Sequence, residues 1–174
     1  MRILLTLLTI AVLVLAVWAM YRGWTRRAQR QAEGLRGWPA PPAEVGPALL
    51  GPTTGFYIGT TMAGNWQDRV TVGDIGHRAT AELSLHEAGV LLARQGCSDL
   101  WVPRNALVEV RTDNKLAGKV MTRDGLLVLR WRVASEEVDS GFRADDKTTY
   151  PEWLHALAHE ASSGSDQDKN GDIA

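Results

Sequence analysis

From Ile3 to Tyr21 the chain carries no charged residue, and only two threonines interrupt its aliphatic and aromatic side chains. Nineteen residues at helical rise cover roughly 28 Å, close to the ~30 Å of a hydrocarbon slab. A backbone inside lipid must satisfy its own hydrogen bonds, so such a run crosses as a helix. Two rivals exist. A cleavable signal peptide has an apolar region of about 7–15 residues and a small-residue cleavage site; this run is longer, and Val17-Trp18-Ala19 is an awkward site because Trp stands in its middle. A buried helix of a water-soluble core needs enough protein to wrap it, and the remainder of the chain is too small. The length therefore predicts a retained transmembrane helix over 1–22.

The flanks set its direction. Arg22, Arg26, Arg27, Arg30 and Arg36 follow the run, opposed by Glu33, whereas Arg2 and the amino terminus precede it. Positive charge stays on the cytoplasmic side. The expectation is a single-pass protein of the cell membrane, with its N-terminus outside and its C-terminal part cytoplasmic. Trp18, Tyr21 and Trp24 fall at the same border, where amphipathic rings favour the headgroup layer. The arginines also suit anionic lipid, but a topology signal is sufficient reason for them.

Charge is unevenly spread. Residues 1–52 hold six Arg against two Glu, residues 53–161 twelve Lys/Arg against fifteen Asp/Glu, and residues 162–174 one Lys against three Asp. An acidic domain is a poor fit to nucleic acid, which rewards a basic face. Cys97 is the only cysteine, so no intrachain disulfide can form, which suits a reducing compartment.

Residues 37–52 hold five of the seven prolines. Proline fixes φ and removes a donor, so residues 23–52 read as a basic flank and a stiff, extended linker. From Thr54 the pattern is strand-like. Residues 54–62 are rich in β-branched and aromatic residues, and residues 65–78 read as a long loop. In residues 80–89, Ala81, Leu83 and Leu85 alternate with Glu82, Ser84 and His86, a half-buried strand. Further strands are expected in "VLLARQG", "DLWVP", "ALVEVRTD", "RDGLLVLRWRV" and "EVDSGFRAD". Asp124-Gly125 is a hairpin signal; after it Leu127, Leu129 and Trp131 share one face, and Val128, Arg130 and Arg132 the other. The period then changes. Thr149 and Glu152 fit a capping box, with Pro151 in the first turn, and Trp153, Leu154, Leu157, Ala158 and Ala161 recur at helical spacing. The expected fold is mainly β: six or seven short antiparallel strands over 53–161, curling into a barrel or sandwich that the last helix covers, with Trp153 deepest. Residues 162–174 read as a disordered acidic tail.

This arrangement, carried by "GFYIGTT", "NWQDRV", "GHRATAELSLHEAGVLL", "LAGKVMTRDGLLVLRW" and "DSGFRADDKTTYPEWL", resembles the bacterial PH-like (pleckstrin-homology-type) membrane proteins with one amino-terminal span. The blocks cover about residues 54–155. The resemblance implies a PH-like β domain and the single-pass topology, with no reaction attached. Phosphoinositide-binding PH domains use a basic pocket in the first hairpin; here that region offers Arg69 and Arg78 beside Asp68 and Asp74, a departure from that pattern.

Motifs for chemistry are thin. His155 and His159 stand four apart on the last helix, but H-A-L-A-H-E is not the H-E-x-x-H of zinc proteases, and a zinc site needs a third ligand; they read as an exposed polar face. His77 and His86 read as surface residues. Asp166 to Asp172 matches the first half of a calcium loop, yet the chain reaches Ala174 before the bidentate Glu that loop requires. Cys97 has no activating neighbours, Ser84, Ser98 and Ser140 lie in no nucleophile elbow, Gly118-Lys119 is no phosphate loop, and Asp145-Asp146 in "FRADDK" reads as a tie between last strand and helix. No catalytic, cofactor-binding or metal residue is assigned, and the chain is read as a non-enzyme without cofactor. Two functions follow as expectations. The first is an interaction or scaffolding module at the cytoplasmic membrane face, touching the bilayer through its N-terminal helix and binding a protein partner through an exposed patch near Trp66 and Trp101. The alternative is a membrane-tethered small-molecule sensor or enzyme with a cleft at Asp68, Arg69 and His77.

Overall fold

The computed structural model describes residues 10–23, 35, 37–120 and 125–161. Residues 10–23 form a helix, α1, whose large side chains from Ile10 to Tyr21 stand 52–71% exposed. Among the described residues no helix is long and apolar enough to cross a membrane. Of the span expected from Ile3 to Tyr21, residues 3–9 lie outside the described residues, as do Asp124 of the hairpin signal and the tail 162–174.

The rest is an antiparallel sheet and a short helix. The strands are β1 (Ala48–Met62), β2 (Ala79–His86), β3 (Gly89–Arg94), β4 (Leu100–Pro103), β5 (Leu107–Asp113), β6 (Lys115–Leu116), β7 (Lys119–Val120), β8 (Leu126–Val133) and β9 (Glu136–Ala144); α2 (Tyr150–Ala161) follows. Seven strands form one sheet in the order β4-β3-β2-β1-β9-β8-β5, while β6 and β7 form a separate hairpin. The long β1 sits at the centre. Its first part pairs with β2, from Ala48↔His86 to Tyr57↔Ala79, and its last part with β9, from Gly55↔Ala144 to Met62↔Val138. A strand shared in this staggered way bends, and the sheet curls around one core. That core joins Tyr57, Leu83, Leu92, Leu100, Leu129, Trp131, Phe142 and Trp153, contributed by six strands and α2. Gly55 lies where β1 is paired on both edges. A Cβ there would run into the Arg143 carbonyl and lie 2.8 Å from the Phe142 ring, so close approach demands glycine.

The edge strands β4 and β5 are joined by one 3-10 turn, Arg104–Ala106, and α2 packs beside β5. Trp153 and Leu157 enter the core, and the Trp153 indole N–H donates to Thr53 Oγ1 at 3.0 Å. The helix starts differently from the expected capping box. A 3-10 turn, Lys147–Thr149, precedes it, and Asp146 caps that turn by accepting from the Thr148 amide at 2.9 Å; Thr149 Oγ1 donates to the Asp146 carbonyl. Asp146 does tie strand to helix, as "FRADDK" suggests.

Three expectations change. The sheet begins at Ala48, inside the segment read as linker, because bulges between Ala48 and Thr53 accommodate Pro52 in a strand. Leu35, 2% exposed, and Trp38 also pack on the core, so part of that linker is structural. His86, read as a surface residue, is buried: its Nδ1 meets the Gly46 carbonyl at 3.1 Å and its Nε2 meets Ser84 Oγ at 2.9 Å. A carbonyl only accepts, so Nδ1 carries the proton and, in the neutral ring, Nε2 accepts from the serine. Finally, β6 and β7 were absent from the strand pattern; Leu116 and Ala117 of that hairpin cover Ile58, Leu126 and Val128 on the sheet's outer face.

Candidate functional site

Three polar clusters stand out among the described residues, and in each the hydrogen bonds tie elements of the fold together. Arg69, in the loop after β1, donates to the carbonyls of Gly76, Ile58 and Ala117, the last two at 3.2 Å, so it clamps loop, sheet and the β6–β7 hairpin together. His77 is exposed. Asp68 uses its carbonyl to accept the Met62 amide at 3.0 Å. Of the three residues expected to line a cleft, Arg69 thus directs its guanidinium to backbone oxygens, while His77 stands exposed.

Arg94 is buried under the same loop. Its Nε donates to the Ser98 carbonyl at 2.7 Å, Nη1 to the Asp74 carbonyl at 3.0 Å and Nη2 to Asp74 Oδ1 at 2.8 Å, and its guanidinium lies 4.9 Å from the Tyr57 ring centre. The Ser98 amide, which donates to Asp74 Oδ2, and the Arg94 ion pair hold the Asp74 carboxyl below the usual carboxylate range. Next to them, the Tyr57 hydroxyl donates to the Ile75 carbonyl and meets Thr60 Oγ1, which meets Ser140 Oγ; the Trp131 indole donates to that serine at 3.0 Å. Burial pushes the Tyr57 hydroxyl far up, so it stays protonated and acts as a structural donor.

On the outer face, Asp139 of β9 accepts from Arg130 Nε at 2.9 Å and from Arg111 Nη2 at 2.9 Å, with Glu109 Oε2 3.5 and 3.6 Å from the two guanidinia. Burial alone would raise the Asp139 carboxyl, but the hydrogen bonds from Arg130 and Arg111 outweigh it and hold it low. These pairs tie β5, β8 and β9 together across the sheet.

Among the described residues, a groove of about 420 Å³ opens where the start of β1, the end of β2, the Arg104–Ala106 turn and α2 meet. Leu49, Leu50, Leu85 and Ala156 give it apolar walls; Arg104, Glu152 and His155 stand on it as polar groups. Arg104 Nη1 is anchored on the Glu87 carbonyl at 2.7 Å, which fixes the turn beside the groove. The lining contains no thiol, hydroxyl or carboxylate pair in a nucleophile–base arrangement. It suits an aliphatic or aromatic side chain with polar flanks. Among the described residues no group of three or more His, Cys, Asp or Glu could hold a metal ion. His155 lies on the exposed side of α2, as its spacing suggests.

The aromatic patch expected at Trp66 and Trp101 does not exist as such. Trp101 is buried in β4, packed over the Gly89 backbone and near the His86 ring at 6.4 Å between centres. Trp66 is half-buried over the β6–β7 hairpin, its carbonyl accepting the Gly118 amide. Sequence reasoning missed the groove. The signal that could have found it is the Leu49-Leu50 pair, apolar residues out of place in a solvated spacer; Leu49 is strongly exposed in the fold.

The family described as Bacterial PH domain-like matches residues 35–158. The match opens at Leu35, the same residue that opens the core, and closes inside α2. No curated protein matches the chain. With the family match spanning most of the chain, and the curled antiparallel sheet and its terminal helix inside the matched residues, the chain belongs to the bacterial PH domain-like family.

Proposed function

We propose that this chain is a single-pass membrane protein whose PH-like β-barrel is a non-catalytic interaction module at the cytoplasmic face. The observation that supports it most is α1. Its side chains from Ile10 to Tyr21 carry no charge, and the large ones are exposed all round the helix. A helix apolar on every side has no stable place in water; lipid solvates it at about 25 cal/mol per Å² of apolar surface removed from water. The Arg22 guanidinium lies 5.4 Å from the Trp18 ring centre, an aromatic–cationic pairing suited to the headgroup layer. The binding role rests on the open, partly apolar groove beside α2, and on the absence from its lining of a nucleophile–base pair. The partner class that fits is a protein segment offering an apolar side chain.

Membrane fractions washed with alkaline carbonate test the anchor, and an impermeant maleimide aimed at Cys97 on intact and lysed cells tests the sidedness. The expected outcome is retention in the membrane with labelling after lysis alone. Release by carbonate, a mature chain lacking the first residues, or labelling on intact cells refutes the topology. Crosslinking in native membranes with a photoreactive residue at Leu49 then tests the groove. A discrete protein adduct lost in His155→Glu, an exposed position on the groove, supports the interaction module; an adduct unchanged by that substitution refutes it.

A further inference from the structure

Leu35 and residues 37–47 lie between the apolar helix and the sheet in sequence, and they dock on the sheet at two points. Leu35 is a member of the main core, and the Trp38 ring meets Trp131 edge-on with centres 5.2 Å apart. At the other end the Gly46 carbonyl accepts from His86. Between these points the described backbone, residues 37–47, is neither helix nor strand, and Pro39, Pro41, Pro42 and Pro47 cannot donate to any ladder. One defect marks the contact: the Trp38 indole N–H is buried with no acceptor among the described residues. A buried donor left unmade weakens the docked state, and proline keeps the undocked chain extended.

We propose that residues 35–47 form a releasable strap that sets how far the β domain stands from its anchor. This rests on the reading of α1 as a membrane anchor. With Leu35 and Trp38 docked, Gly23 and the first docked residue are 12 Cα–Cα steps apart along the chain, at most about 42 Å when extended at ~3.5 Å per step. With the strap released as far as Ala48, they are 25 steps apart, about 88 Å by the same measure. The sheet from β1 onward keeps its ladders in both states, since none of them includes the strap. A partner that binds the proline-rich length, or one that stands away from the bilayer and holds the groove, shifts the population toward release.

The full chain is reconstituted in vesicles of phosphatidylcholine and phosphatidylglycerol, with a donor dye on Cys97, the sole cysteine, and an acceptor dye on lipid headgroups. Trp38→Ser and Leu35→Ser are each expected to lower energy transfer to the bilayer while the proteins stay carbonate-resistant and keep the β-sheet circular dichroism of the wild type. Unchanged transfer in both variants, with the anchor inserted and the sheet intact, overturns the strap. Failure to insert in the wild type instead overturns the anchor reading. If either variant loses its fold, hydroxyl-radical footprinting of the wild type across a urea series decides. Oxidation of the Trp38 ring at lower urea than that of the buried Trp131 ring supports separate release; oxidation of both rings in a single event overturns it.

Discussion

Replacing Asp139 by Asn measures how strongly the charge cluster on the outer face fixes the register of β5, β8 and β9. The carboxylate is 5% exposed and takes four hydrogen bonds: from Arg130 Nε at 2.9 Å and Nη2 at 3.1 Å, and from Arg111 Nη2 at 2.9 Å and Nη1 at 3.4 Å. The two guanidinia are about one quarter exposed, at 26% and 25%. Removing one partner of a fully buried pair costs about 3–5 kcal/mol. Here partial exposure screens the abandoned cations, Glu109 stays near both, and Asn preserves volume and one acceptor. About 2 kcal/mol of lost stability is therefore expected near neutral pH. The pH dependence has a definite sign. The folded carboxyl is held below the ordinary value of about 3.9, so its stabilisation is complete above that value and disappears as pH falls through the lower, folded pKa. The gap between wild type and Asp139→Asn should be constant from pH 8 to about 5, then close in acid. Urea unfolding of the full chain in mild detergent, followed by tryptophan fluorescence, measures it. Arg132→Gln is the control, because the Arg132–Glu137 pair at 3.3 Å is 65% and 39% exposed and should be worth less than about 0.5 kcal/mol. A loss no larger than the control's, or a gap that persists in acid, refutes the reasoning.

Asp74→Asn leaves the buried Arg94 guanidinium with backbone carbonyls but no counter-charge, and about 2–3 kcal/mol of destabilisation is expected by the same unfolding assay. Trp153→Ala empties a site at the base of α2 and breaks the bond to Thr53, which should cost about 3–5 kcal/mol and loosen α2 in hydrogen exchange. Gly55→Ala and Gly141→Ala form a paired comparison by thermal melting. At Gly55 the new methyl meets the Arg143 carbonyl, a backbone atom that cannot step aside, so a loss above about 2 kcal/mol is expected; at Gly141 it meets the end of the Leu116 side chain, which can rotate, so the loss is the smaller of the two.

Much of the sheet was legible because alternation survives wherever one face of a strand is wet. In β2 the inward Ala81, Leu83 and Leu85 are buried, and in β8 Leu127, Leu129 and Trp131 point to the core as their spacing indicates. The errors fall where something else covers the second face. Val128 was assigned to the wetter side of β8, yet the β6–β7 hairpin lies over it, and strands of two residues are too short to leave any period in sequence. His86 occupies an outward register position but is covered by the strap at Gly46. Trp101 sits in a strand whose Leu100 and Val102 are also buried, so alternation has nothing to report there. Residue type alone carries no record of a distant segment that folds back.

The same reason explains why the groove was illegible. Its lining joins Leu49 and Leu50, Leu85, Arg104, and the Glu152–Ala156 turn, four stretches with up to a hundred residues between them, and no one of them has a motif. The proline content of residues 37–52 argued for a spacer, and for the backbone hydrogen bonds of 37–47 that argument holds. It failed for packing, because proline forbids ladders without forbidding burial of its neighbours. Leu35 and Trp38 pack on the core through their side chains, and among the described residues no ladder includes either of them. A contact built from side chains, with no ladder beneath it, is the kind that can open without unfolding the sheet. The boundary between linker and domain is then a matter of equilibrium, set by two side chains, and not a fixed position in the sequence.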